Sequence, residues 1–339
     1  MPPLDADQDR LGLHPVDSAG VAATRRDDAE HRARSLNAVR RLGYAILPGD
    51  LFSYILHLRP AEWPIMAAHT TLGILLAIGI GHTAAPFPWG EAALGLFLWV
   101  ICLNGGTLAI NSAFDHDQGD IGYLAAPPRP PKHLALFSCA LMAIGQLGAF
   151  RLGTPFAAVY AICFVMSILY SIPPFRWKAV AGADWIINMW GFGTLTPLAG
   201  WYLTGRPLEI WAALVFLAFC PLFAALYPLT QIYQVEEDRA RGDRTLAIAL
   251  GVERSLQIAI VTTILAFAIF GAAIYLGPAN RWWPTIVAPL GAWLAVLVPW
   301  LRNHTRMSQA QHQRGMYAAL RAWAVTDIVV LAIFAVGHP

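Results

Sequence analysis

Nine blocks of mostly apolar residues, each close to the length of a membrane-crossing helix, constrain this chain more than any other feature. They cover residues 64–82, 92–114, 133–150, 155–172, 181–203, 208–233, 255–277, 283–301 and 317–337. Roughly 20 helical residues cross the hydrocarbon core of a bilayer. Backbone polar groups there must be satisfied within the segment, so blocks of this kind are expected to be helices. The sequence therefore predicts an all-α, polytopic membrane protein of nine transmembrane helices. Hydrophobic residues make up 57% and charged residues 13% of the chain, a balance that lipid explains better than a large water-soluble core.

The remaining composition narrows the function. A net charge of +2 gives no basis for a nucleic-acid partner. Many of the 13 Trp and 10 Tyr fall near block ends, as interfacial anchors do. Cys102, Cys139, Cys163 and Cys220 all lie inside apolar blocks without CxxC spacing, and read as small buried hydrophobes instead of a disulfide framework or zinc site.

Residues 1–45 are polar and mixed in charge, and are expected to form a flexible cytoplasmic tail ahead of a membrane domain over 46–339. No cleavable signal peptide is visible, because the first long apolar block begins near Ile65. Asp50 is placed to cap a short interfacial helix, Leu51 to Leu58, before Arg59-Pro60. Pro197, Pro221 and Pro228 predict kinks within their blocks. With the N-terminus inside, twenty basic residues fall on the inside and only Arg151, Arg206 and Arg281 outside. That asymmetry predicts a cytoplasmic N-terminus and an external C-terminus, in an inner or plasma membrane.

Two acid-rich clusters then fall on the same, cytoplasmic side. The second block ends in Asn111-Ser-Ala-Phe-Asp115-His-Asp117-Gln-Gly-Asp120, and the sixth in Gln231-Ile-Tyr-Gln234-Val-Glu236-Glu237-Asp238. Helical spacing puts Asn104, Asn111 and Asp115 within about 40° of one another, and aligns Tyr227, Gln231, Gln234 and Asp238. A polar stripe on an apolar spanning helix is expected to face a central cavity and not lipid. Ordinary solvated loop charge is the plainer account of such acids, and it is the one expected for Asp243 and Glu253. Asp115 and Asp238 instead continue stripes that begin inside the membrane. Converging carboxylates need a cation, and hard oxygen ligands suit Mg²⁺ bridging to a substrate diphosphate. The expected metal set is Asp115, Asp117, Asp120, Glu237 and Asp238.

Basic residues accompany the acids. Arg176 and Lys178 follow the fourth block, in Tyr170-Ser-Ile-Pro-Pro-Phe-Arg176-Trp-Lys178, and Arg129 and Lys132 follow the first cluster. They could hold phosphate oxygens and stabilise a leaving diphosphate, or serve only as orientation signals beside lipid headgroups. Asp184 and Asn188, one turn apart at the start of the fifth block, either recognise an acceptor or bond a neighbouring helix.

In this order and spacing the clusters resemble the UbiA superfamily of intramembrane prenyltransferases, over roughly residues 55–337. The resemblance implies nine helices around a central cavity, an N-D-x-x-D-x-x-x-D motif after helix 2, a Y-S-x-P-x-R-x-K segment and a D-x-x-x-D motif after helix 6. It further implies that both acid motifs bind Mg²⁺ and a prenyl diphosphate, which ionises before an acceptor attacks. Asn111, Asp115, Tyr170, Ser171, Arg176, Lys178, Asp238, Gly242 and Thr245 match the pattern. Ser112 and Gln234 stand where the family has Asp, and Gly119 where a third acid is expected. The implied activity is Mg²⁺-dependent transfer of an isoprenyl group to an aromatic or other lipophilic acceptor, with Asp115, Asp238, Arg176 and Lys178 catalytic. Asn104, Asn111, Tyr170, Gln231, Gln234, Arg129, Lys132, Asp184 and Asn188 would bind substrate. The altered motifs leave a terpene cyclase on the same fold as the alternative. A transporter is disfavoured, because the acids cluster at helix ends and not at the bilayer midplane.

Overall fold

The computed structural model describes residues 38–48, 50–79, 89–115, 121, 124 and 126–337. Most of the polar tail, with Asp117 and Asp120, lies outside these residues, as does the side chain of Glu237. The chain divides into two compact units between Phe52 and Ser53. The first unit holds α1 (Ala38–Ile46), which leaves Val39, Leu42 and Ile46 exposed beside Arg41, the pattern of a helix that lies on an interface.

The second unit is all-α, with only isolated β-bridges among the described residues. The chain runs through α2 (Leu51–His57), α3 (Trp63–Ile78), α4 (Trp89–Asp115), α5 (Leu134–Leu152), α6 (Thr154–Ser171) and α7 (183–202). It continues through α8 (Ile210–Ile232), a short α9 (Val235–Arg241), α10 (Leu246–Leu276), α11 (Asn280–Arg306) and α12 (Gln309–Gly337). Among the described residues, eight stretches are long and apolar enough to cross a membrane, the first being α2 and α3 taken together. The expected fifth span, α7, is helical but lies outside that set of eight. It is interrupted by a π-helical segment, Met189–Leu195, and buries Asp184, Asn188, Thr194 and Thr196.

Pro221 and Pro228 lie within the uninterrupted α8, and Pro197 occupies the first turn of a helical segment, where its missing N–H costs least. The clearest break is in α10, where Gly251 has φ 79° and ψ 167°.

Helix packing relies on small residues, as is usual where lipid removes the hydrophobic drive for association. A Cβ on Gly73 would lie 1.8 Å from the Pro197 carbonyl oxygen, and one on Gly200 would lie 1.9 Å from that of Thr70. Only glycine at both positions lets α3 and α7 approach this closely. The core has two main parts. One is built around α8 with Phe216, Phe219, Phe270, Trp293 and Trp323, and the other holds Trp99, Met142, Phe156 and Tyr160 from α4 to α6.

Candidate active site

A cavity of about 920 Å³ opens between α3, α4, α6, α7, α8 and α12. Asn104, Asn111 and Asp115 of α4 line it, as the helical stripe predicts. Tyr170, Lys178, Asn188, Gln231, Gln234 and Asp238 line it as well. Tyr227 and Gln231 lie on α8, which ends at Ile232, whereas Gln234 caps α9 and its carbonyl accepts from the Asp238 N–H at 2.9 Å, so the four do not share one continuous helix. The intervening turn still returns Asp238 to the cavity.

Asp115, Arg176, Lys178 and Asp243 form one ionic cluster. Arg176 donates through Nη2 to Asp115 Oδ1 at 3.3 Å and through Nη1 to Asp243 Oδ1 at 2.7 Å. Lys178 Nζ donates to the same Asp115 oxygen, and to Asn111 Oδ1 at 2.6 Å. Arg176 adopts a left-handed φ of 37° and Lys178 lies in the 3₁₀ turn that follows, so both side chains turn toward α4. Asp243 is brought in by Gly242, whose φ of 77° reverses the chain after α9. The Asp243 N–H then donates to Asp238 O at 3.0 Å, and the Arg244 N–H to Ala179 O at 3.2 Å. These bonds tie the loop after α6 to the loop after α9, and so join the two acid motifs across the cavity mouth.

Asp243 corrects the sequence reading. Expected as a solvated loop charge, it is buried, paired with Arg176 and part of the cavity lining. Its signal was present: Gly242 is the residue type that turns a chain sharply enough to bring the next side chain back. Glu253 behaves as expected and is exposed. Arg129 and Lys132 are also exposed and do not line the cavity. Asp184 is fully buried behind the cavity, where Oδ2 accepts from Gln231 Nε2 at 2.7 Å and Oδ1 from the Gly182 N–H at 2.9 Å. It therefore bonds a neighbouring helix, and only its turn-mate Asn188 lines the cavity.

Other ionisable residues escaped the sequence reading, among them Arg59, Glu62 and His69 on the cavity wall and Asp327 beside His69. His69 of α3 lines the cavity, with Nε2 3.3 Å from Gly193 O and Nδ1 3.6 Å from Oδ2 of Asp327 on α12. An acid inside an apolar block is itself the signal that could have found Asp327, because such groups are costly in lipid and usually face a protein interior.

The donor set suits a hard cation. Asp115, Asp238, Asp243, Asn111 and Gln234 offer carboxylate and amide oxygens to one cavity. Among the described residues, no three His, Cys, Asp or Glu side chains converge closely enough to hold a metal alone. A Mg²⁺ ion here would bind through one or two carboxylates and take its other ligands from phosphate and water. Burying an ionic cluster gains little stability, so its place on a cavity points to binding.

Away from this cluster the lining turns apolar and aromatic, with Trp99, Leu103, Phe192, Phe223, Leu226 and Trp323. Phe192 and Phe223 stack at 5.3 Å with 12° between their planes. The hydroxyls of Tyr170 and Tyr227 meet at 3.0 Å between the two regions. The arrangement can hold a diphosphate at its polar mouth and shield a hydrocarbon chain below.

Known proteins resemble this chain in sequence and in fold. Residues 66–323 match the UbiA prenyltransferase family. Digeranylgeranylglyceryl phosphate synthase of Methanosarcina mazei is 26% identical, covering 74% of this chain and 90% of that protein. Lycopene elongase/hydratase of Haloferax volcanii is also 26% identical, over 70% of this chain and 79% of the relative. The structure of a UbiA homolog from Archaeoglobus fulgidus bound to GPP and Mg²⁺ superposes with a TM-score of 0.62 at 19% identity, over 83% of this chain and 99% of the homolog.

Proposed function

From the premise that this chain belongs to the UbiA prenyltransferase family and is an integral membrane protein, we propose that it is a Mg²⁺-dependent intramembrane prenyltransferase. It takes a prenyl diphosphate and transfers the isoprenyl group to an aromatic or other lipophilic acceptor. The observation that carries this reading is the meeting of Asp115, from the first acid motif, and Asp243, five residues past the second, on one Arg176–Lys178 pair in a cavity that Asp238 also lines.

Asp115 and Asp238 would hold Mg²⁺, with Asn111 and Gln234 offering neutral oxygens nearby. When bound, the ion supplies positive charge that stabilises the departing diphosphate. Lys178 and Arg176 exchange their carboxylate partners in part for non-bridging phosphate oxygens, with the planar guanidinium suited to two oxygens at once. The bond from prenyl C1 to the diphosphate oxygen breaks, and its electron pair leaves with the diphosphate. Phe223, Tyr227 and Trp323 present aromatic faces to the positive charge on the allylic fragment and exclude water from it. The acceptor's nucleophilic atom then bonds to C1, and the proton it carried leaves to the departing diphosphate or to water at the cavity mouth. A hydrocarbon tail partitions into lipid at about 0.8 kcal/mol per methylene, which favours doing this chemistry inside the bilayer. We place the cluster and N-terminus on the cytoplasmic side and the C-terminus outside, from the twenty-to-three excess of basic residues.

The deciding experiment incubates the purified protein with prenyl diphosphates of several lengths, with and without Mg²⁺, and identifies products by mass spectrometry. Diphosphate release that requires both Mg²⁺ and an added lipid or aromatic extract supports the transferase. Release without acceptor, giving a cyclic hydrocarbon or alcohol, replaces it with a terpene cyclase. No release under any condition removes the enzyme reading.

A further inference from the structure

The deep part of the cavity contains polar groups that a purely hydrocarbon substrate would not need. Asn104 is 5% exposed and lines the cavity, and its Nδ2 has no hydrogen-bond partner among the described residues. An unpaired buried amide donor is unfavourable, and a ligand oxygen would satisfy it. Asn104 lies in the π-helical segment Phe97–Gly105. The second π-helical segment, Met189–Leu195, carries the Gly193 carbonyl that faces His69. Single π turns inside helices are frequently retained at binding sites.

His69 is buried against Phe219 at 4.7 Å and Trp323 at 5.2 Å. Its Nδ1 stands 3.6 Å from Asp327, longer than a hydrogen bond, so this buried nitrogen is also unsatisfied.

Depth decides what these groups can do. Eleven residues separate Asn104 from Asp115 along α4, a rise of about 16 Å. Nine residues separate Gly193 from Asp184 along α7, about 14 Å by the same rise. A prenyl C1 attached to a diphosphate at the cavity mouth is out of reach of both. Asn104 and His69 are therefore too deep to act on the reacting carbon or to take a proton from the atom that attacks it.

We propose that Asn104, supported by His69, forms a second subsite that binds an oxygen at the far end of a neutral, elongated, lipophilic acceptor. Because Asn104 Nδ2 is a donor, the ligand group is an acceptor of hydrogen bonds, a hydroxyl, ether or carbonyl oxygen. It is uncharged, in keeping with the apolar Trp99 and Leu103 that line the cavity beside Asn104. This oxygen is distinct from the atom that is alkylated, and the two are separated by on the order of 10 Å, given the rise per residue above. The proposal rests on the transferase reading for the identity of the ligand as acceptor, but the subsite itself can be tested without turnover.

The test is direct binding of geranylgeraniol and of the hydrocarbon lacking its hydroxyl to the full-length protein in detergent, by calorimetry. The same titrations are run on Asn104→Leu, Asn104→Ser and Asp238→Asn, and each protein is titrated with geranylgeranyl diphosphate and Mg²⁺. The alcohol should bind about tenfold more tightly than the hydrocarbon. Asn104→Leu should remove that preference while keeping diphosphate binding, and Asn104→Ser, which retains a donor, should keep part of it. The preference should persist in Asp238→Asn, whose lesion lies at the mouth. Equal binding of alcohol and hydrocarbon to the unaltered protein overturns the subsite, and so does a preference that survives Asn104→Leu or disappears in Asp238→Asn. Absence of diphosphate binding in the unaltered protein overturns the transferase reading instead, and leaves the alcohol preference to judge the subsite alone.

Discussion

Gln231 donates through Nε2 to Asp184 Oδ2 at 2.7 Å, yet only Gln231 of the pair faces the cavity. The other end of the amide accepts from the Ala247 N–H at 3.2 Å, and Asp184 Oδ1 accepts from the Gly182 N–H. One buried side-chain pair thereby fixes the start of α7, the end of α8 and the start of α10. Asp184→Ala leaves the Gln231 amide and the Gly182 N–H without their partner, a loss of about 1–3 kcal/mol for a buried donor. The unfolding midpoint in detergent should fall, and Asp184→Asn, which keeps an acceptor oxygen, should fall less. Identical midpoints for Asp184→Ala and the unaltered protein would show that the pair contributes nothing.

Asp115→Ala and Asp238→Ala should each abolish Mg²⁺-dependent binding of a prenyl diphosphate. Binding titrations with and without the metal measure this directly, beside an unfolding scan to show that each variant is folded. Glu253→Ala serves as the control, because Glu253 is exposed and its side chain accepts from Gln257 alone among the described residues. Unchanged affinity in both aspartate variants would remove the acid motifs from the binding site.

How far the sequence could be read follows from how local each feature is. The stripe of Asn104, Asn111 and Asp115 lies on one helix, so periodicity alone placed all three on the cavity. Asp184 sits at the same kind of position but points to Gln231 and not into the cavity, because α8 packs where sequence spacing carries no information. Asp243 was missed for a related reason: a charge in a polar loop resembles any solvated acid until the Gly242 turn and the Arg176 partner are in view. The less apolar character of α7 follows from its buried polar residues, which pack against neighbours and not lipid. Membrane class, helix order and the meeting of the two motifs were all legible, since they depend on block length and block count.

Arg176 bonds two different carboxylates through two different nitrogens, a geometry that one ammonium group does not reproduce. Arg176→Lys should therefore weaken prenyl diphosphate binding about tenfold, although the charge is conserved. The comparison is made by titration at fixed Mg²⁺, with Lys178→Arg alongside. An Arg176→Lys variant that binds as tightly as the unaltered protein would mean that only net charge matters at the cavity mouth.

Reporter fusions test the orientation. Fusions after Arg129, Lys178 and Arg244 should read cytoplasmic, and fusions near Arg206 and Arg281 external. The Arg244 N–H already bonds Ala179 O, so the loops carrying Lys178 and Arg244 must share one side whatever its identity. A cytoplasmic reading at Arg206 or Arg281 would reverse the orientation drawn from the basic residues while leaving the site intact.

Gln234 stands where the motif resemblance implies an Asp, and it lines the same cavity as Asp238. Its amide oxygen can ligate Mg²⁺ but brings no negative charge. Gln234→Asp adds a carboxylate. At about 4 Å from a divalent cation this is worth several kcal/mol at an effective dielectric near 20, before desolvation is subtracted. If Gln234 borders the metal, the concentration of Mg²⁺ needed for half-maximal activity should fall in the variant, with the product unchanged. If it borders the acceptor instead, the added charge should alter the product profile and leave the Mg²⁺ dependence as it was. Activity titrated against Mg²⁺ and read beside the products separates these outcomes. A variant unchanged in both would place Gln234 outside the working site, despite its position on the cavity wall.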